Sequence, residues 1–88
     1  MKLIYTTQFK KDFKKIKKQQ KNISKLTVLI EKLLGQEKLE PKYEDHSLSG
    51  KYRSHRDCHI EPNWILIYRI TKNELVLERT GSHSDLFK

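Results

Sequence analysis

Eighty-eight residues carry 19 Lys and Arg against 11 Asp and Glu, a formal charge of +8, with 35% apolar side chains. A chain this short has room for one core, so a single domain over residues 1–88 is expected, with one layer of helices on one sheet. The lone cysteine, Cys58, excludes an internal disulfide and the stapled secreted mini-protein class. The longest apolar run, Trp64 to Tyr68, is far below the roughly 20 residues of a membrane span, and Met1 to Tyr5 lacks a signal-peptide core. A soluble, cytoplasmic protein with no membrane partner is the expectation.

Leu3 to Thr6 is short and rich in β-branched and aromatic residues, a strand signal, and Thr7 is placed to cap a helix from about Gln8 to Gln20. Phe9, Phe13 and Ile16, spaced i, i+4, i+7, form its apolar stripe. Asn22 or Ser24 can cap a second helix, whose Leu26, Leu29, Ile30 and Leu33 share a face and which ends at Gly35. Gln36 to Gly50 is polar and irregular, with one possible strand around His46 to Leu48. After it come β signals: Tyr52 to Glu61, a turn at Pro62-Asn63, the apolar run Trp64 to Ile70, a turn at Thr71 to Glu74, then Leu75 to Thr80, with Gly81 breaking before Ser82 to Lys88. A run apolar on both faces belongs at a sheet centre. The expected fold is therefore α+β in the order β-α-α-β-β-β, two N-terminal helices on one face of an antiparallel sheet of about four strands.

The charge is local. Twelve lysines and five acids precede Asp45, a net +7, and most of the excess crowds Lys10 to Lys25 around the Phe9, Phe13, Ile16 stripe. Such lysines either solvate a helix face or form a positive field that attracts a polyanion, and they steer without reading sequence. No zinc finger, basic zipper or Gly-rich phosphate loop is present.

Chemistry-bearing side chains gather in the second half: His46, His55, His59, His83, Arg53, Arg56, Arg79 and Asp57, with the aromatics Trp64, Tyr68 and Phe87. On a continuous strand His55, Asp57 and His59 share one side, either as a polar sheet face open to water or as a reactive one. Without a paired cysteine motif no metal is assigned to them. In strict alternation Leu75, Leu77 and Arg79 share a side, which leaves Arg79 either at a cleft, held for an anion, or turned to solvent. His83 follows four residues later, so a cation and a proton donor could meet one phosphate there.

Asp45-His46, Leu48-Ser49-Gly50, Arg56-Asp57-Cys58-His59-Ile60-Glu61-Pro62-Asn63-Trp64-Ile65-Leu66-Ile67-Tyr68, Arg79-Thr80-Gly81-Ser82-His83 and Leu86-Phe87, in that order, resemble the YafQ-type toxins of the RelE/ParE superfamily. The resemblance spans nearly the whole chain, although the lysine-rich half matches in pattern only. It implies a RelE-like fold and the toxin of a type II toxin–antitoxin system. It also implies a ribosome-dependent endoribonuclease that cuts mRNA and is silenced by an antitoxin.

By the same resemblance His83 is the principal general acid, His46 and His59 are the other active-site histidines, and Arg79 stabilises the phosphorane. Trp64 and Phe87 line the site, and Trp64, Phe87, Asn63, Lys51 and Arg53 are the expected substrate-binding residues. Asn63 stands where the family commonly has an aspartate, and an amide takes no proton at neutral pH. No cofactor or metal is implied. The expected partners are mRNA, the ribosome and an antitoxin with an acidic, disordered segment, and the toxin alone is expected to be a monomer. Two other readings stay open: a non-cleaving, gyrase-directed member of the superfamily, against which the three histidines argue, and a basic nucleic-acid-binding module.

Overall fold

Thr6, one residue before the expected cap, starts the first helix by accepting a hydrogen bond from the Phe9 amide at 2.9 Å. In the computed structural model, which describes residues 1–87, it separates strand β1 (Lys2–Tyr5) from helix α1 (Thr7–Lys18). Lys88, the end of the expected domain, lies outside the described residues. Helix α2 (Ile23–Leu34) is capped by Asn22 and stops at Gly35. The irregular stretch holds a 3₁₀ turn (Pro41–Tyr43), the two-residue strand β2 (His46–Ser47) and a second 3₁₀ turn (Gly50–Tyr52). Then follow β3 (Arg56–Glu61), β4 (Trp64–Ile70), β5 (Glu74–Gly81) and a one-turn helix, α3 (His83–Leu86). Among the described residues no helix is long and apolar enough to cross a membrane.

The sheet has five strands in the order β1-β5-β4-β3-β2, rather than about four, and it is mixed rather than antiparallel because β1 runs parallel to β5. The two helices between β1 and the meander let the chain return to the far edge of β5 in either sense, so nothing local sets that direction. As expected, β4 is central and buried on both faces. Trp64, Leu66 and Tyr68 pack with Cys58, Leu75 and Leu77 under Phe9, Ile16, Leu26, Leu29 and Leu33 of the helices. Ile65 and Ile67 point the other way, where Leu86, Leu48 and Tyr52 cover them.

Three local readings are corrected. The strand expected from Tyr52 begins only at Arg56, because Gly50 (φ +65°) and Ser54 (φ +76°) adopt left-handed backbone and turn Tyr52 down onto Ile67. Ser82 caps α3, so the segment after Gly81, for which no element was expected, is helical over His83–Leu86. Most consequential is a bulge in β5. Ile67 pairs with Arg79 while Tyr68 pairs with Leu77, which leaves Glu78 as the extra residue. Cross-strand partners share a face, so Arg79 leaves the side of Leu77 and joins that of Ile67.

Thr6 also ties the helix start to the sheet, since its hydroxyl donates to the Glu78 carbonyl at 2.8 Å. Replacing Thr6 by Ala is expected to cost about 1–2 kcal/mol by urea denaturation, the value of a lost N-cap, and an unchanged midpoint would contradict this role.

Candidate active site

Strand register assembles most of the site. One rung across the sheet reads His46, Asp57, Ile67, Arg79, and the next reads His59, Ile65, Gly81. Both rungs face away from α1 and α2. His83, the first residue of α3, lies two residues past Gly81 and brings its ring to 5.3 Å from that of His59, centroid to centroid and nearly edge-on. Three of the expected histidines and Arg79 thus occupy one face.

Each side chain is held from behind. The His46 loop is anchored by Asp45, which accepts from Arg56 Nη2 at 3.1 Å and from the Tyr68 hydroxyl. Glu44 places its carbonyl 2.8 Å from His46 Nδ1 and its carboxylate 3.2 Å from His59 Nδ1, close enough for an ion pair but not aligned in a hydrogen bond. Asn63 Oδ1 accepts from the His83 amide at 3.1 Å and lies 3.2 Å from His83 Nδ1. Asn63, expected to bind substrate, therefore braces His83. Arg79 is gripped by Asp12 of α1 through Nε at 2.8 Å and Nη2 at 3.1 Å, and this pairing pushes its already high pKa further up. Of the alternatives the sequence left open, the cleft is the one the structure takes, with Arg79 at its edge and paired to Asp12 rather than turned to solvent.

Beside the histidines, Lys51, Tyr52, Arg79, Leu86 and Phe87 line a cleft of about 670 Å³. Phe87 meets Tyr52 edge-on at 6.1 Å and His83 at 6.0 Å, and the Lys51 ammonium lies 5.5 Å from the Tyr52 ring centre. Two expected substrate contacts are not brought to it. Trp64 is fully buried on the helix side, its indole N–H donating to Thr80 Oγ1 at 3.0 Å, so it cannot stack on a base. The alternation of β4 requires this, because Trp64 shares the side of Leu66. Arg53 is exposed on the turn before β3 and does not line the cleft. His55, which was not assigned a role, pairs with Glu78 at 3.0 Å instead.

Three residues went unassigned by sequence reasoning. Asp57 is 3% exposed, with Oδ1 3.0 Å from His46 Nδ1 but not aligned in a hydrogen bond. Burial raises its carboxyl above the ordinary range, and His46, His59 and His83 pull it partly back. Its alternation with His59 was the available signal. Asp12 falls on the apolar stripe of α1, which was also visible. Tyr52 had no signal, since its position depends on the 3₁₀ turn. Among the described residues no three His, Cys, Asp or Glu side chains are grouped to hold a metal ion.

The model of the family described as "Bacterial toxin of type II toxin-antitoxin system, YafQ" matches residues 1–88. The chain belongs to the YafQ family. It is similar to the mRNA interferase toxin YafQ of Escherichia coli strain K12, 43% identical over 84 residues that cover 94% of this chain and 91% of the relative. YafQ from E. coli strain BL21(DE3) superposes with a TM-score of 0.94 at 40% identity, covering 98% of this chain and 97% of that one. YafQ in the E. coli DinJ–YafQ complex superposes with a TM-score of 0.91 at 41% identity, with the same coverage. The YafQ fold is thus the sheet and helix pair described above.

A carboxyl whose pKa is raised on folding contributes stability below its unfolded pKa and loses it as pH rises through the folded value. Asp57→Asn of this YafQ-family chain is therefore expected to be more stable than the parent at pH 8 in urea denaturation. The gap should close as pH falls towards about 4, the ordinary aspartate pKa. A gap independent of pH would show that Asp57 ionisation carries no such cost.

Proposed function

We propose that this face cleaves mRNA by attack of the substrate's own 2′-hydroxyl on the adjacent phosphorus. The observation that carries the reading is the opposition of the His59 and His83 rings, with Arg79 one rung away on the same face. The 43%-identical E. coli relative is an mRNA interferase toxin, and membership of its family brings the reaction class to this chain: it is a type II toxin and an endoribonuclease.

A new bond forms between the 2′-oxygen and phosphorus while the bond from phosphorus to the 5′-oxygen breaks. His83 gives its proton to the departing oxygen, and a histidine opposite, His59 or His46, takes the 2′-hydroxyl proton. Asn63 cannot serve as that base. Arg79 meets the charge that develops on the phosphorane oxygens, and Asp57 steadies the positive charge formed on the adjacent imidazoles. The products are a 2′,3′-cyclic phosphate and a 5′-hydroxyl, so DNA, which lacks the nucleophile, is spared. Phe87 and Tyr52 supply aromatic edges for a base beside the scissile bond, with Lys51 at the phosphate backbone.

The lysines of α1 lie mostly exposed around the buried Phe9 and Ile16, a surface suited to ribosomal RNA and to an acidic antitoxin segment. The E. coli YafQ structure in complex with DinJ supports an antitoxin partner. A toxin acting on ribosome-bound mRNA works in the cytoplasm, as a monomer once released.

Primer extension on one mRNA in a cell-free translation reaction tests the reading. Discrete, ribosome-dependent cuts are expected from the unaltered chain and a loss of about 10²-fold or more from His83→Ala. Intact mRNA with the unaltered chain, or equal cutting by the variant, would overturn it. In the same assay Asn63→Asp is expected to cut faster, because a carboxylate 3.2 Å from Nδ1 favours the protonated imidazole that donates. An unchanged rate would leave position 63 a brace alone.

A further inference from the structure

The only acid in α1 is also one of its three buried residues. Asp12 is 7% exposed, among lysines and on the stripe that carries Phe9 and Ile16. A leucine would suit that stripe, and a buried ion pair is weak evidence for stability, because desolvating both charges offsets much of their attraction. Yet Asp12 is fully engaged. Oδ2 accepts from Arg79 Nε at 2.8 Å and from the Thr80 amide at 3.2 Å, while Oδ1 accepts from Arg79 Nη2 at 3.1 Å and from Gln8 Nε2 at 3.2 Å.

The topology explains why these groups meet. Strand β1 pairs with β5 only as far as Leu77, so beyond it β5 has an open edge, and the Thr80 amide lacks a strand partner there. α1 passes alongside, and its carboxylate takes that place. The bulge at Glu78 simultaneously turns Arg79 onto the histidine face. A free arginine at a strand end samples many rotamers, whereas the two-pronged grip of Asp12 leaves one plane for the guanidinium. Its Nη1 edge and the second Nη2 hydrogen stay unclaimed by Asp12, and the guanidinium faces the Tyr52 side chain where Arg79 lines the cleft with Tyr52 and Phe87. One turn along, Lys15 holds Asp85 of α3 at 3.1 Å, so α1 braces the helix that carries His83 as well.

We infer that Asp12 is a positioning residue for cleavage, fixing the Arg79 guanidinium so that the edge Asp12 leaves unclaimed, on the side of the cleft, meets the charge that develops on the phosphorane. This rests on the endoribonuclease reading above. Because that charge exists only in the transition state, loss of Asp12 lowers kcat and leaves KM nearly unchanged.

A merely structural carboxylate capping the β5 edge predicts something different, and a double-mutant cycle separates the two. Ribosome-dependent cleavage is measured for the unaltered chain, Asp12→Asn, Arg79→Ala and the double variant, each at a temperature where urea denaturation shows it folded. Asp12→Asn is expected to lower kcat about tenfold or more. In the Arg79→Ala background the same change should alter kcat by less than about twofold. Should Asp12→Asn not fold, Asp12→Glu, which keeps the charge and moves it by one methylene, takes its place in the cycle. Losses that multiply, a change in KM alone, or an undiminished kcat would overturn the inference while leaving the endoribonuclease reading intact. Failure of the unaltered chain to cut would overturn both, and is recognised by the silent parent lane.

Discussion

Strand β4 is buried on both faces, and most of the molecule follows from having to cover it. One face receives α1 and α2, whose stripes of Phe9, Ile16, Leu26, Leu29 and Leu33 supply a continuous apolar layer. Among the described residues the other has only Leu86, Leu48 and Tyr52, contributed by one turn of helix, the loop after β2 and a 3₁₀ turn. Among the described residues no longer helix packs on this side. The second face is therefore covered only in part, and the polar rungs on either side of Ile65 and Ile67 stay within reach of a substrate. The cleft is what an incomplete second layer leaves behind.

That arrangement concentrates polar groups where burial makes them costly. Asp57 sits nearly dry beside three histidines, and Asp12 and Arg79 form a part-buried pair between α1 and β5. Such groups are tolerated when they are paired, and replacing them with apolar residues is often neutral or stabilising. Asp57 and Arg79 share one face, around rings 5.3 Å apart, which fits chemistry better than folding. Irregular backbone serves the same end. The β5 bulge re-aims Arg79, and left-handed residues at Glu44 and Ser54 flank the segment that carries His46 and leads into β3.

Much of this was legible in advance because it is local. The i, i+4, i+7 stripe of α1, the Gly35 stop, the central run Trp64 to Ile70 and the turns on either side depend on residues within a few positions of one another. The histidines were legible as an ordered motif. Asn63 stood out as a departure, though its service as a brace for His83 was not readable. Trp64 was misplaced because a motif records order and not side: it neighbours the site in sequence yet faces the helices. The expected position of Arg79 relative to Leu77 failed because alternation holds only while a strand is regular.

The sequence by itself determined the element order, the two helix stripes, the doubly buried strand and the residue types able to move protons on RNA. These are consequences of periodicity, capping and side-chain chemistry, all read within a short span of chain. Tertiary structure alone decided that β1 lies parallel to β5, that a bulge turns Arg79 over, and that Asp12 reaches it across 67 positions. Pairing direction, register and long-range ion pairs are set by what packs against what once the chain has collapsed. No window along the sequence holds both partners.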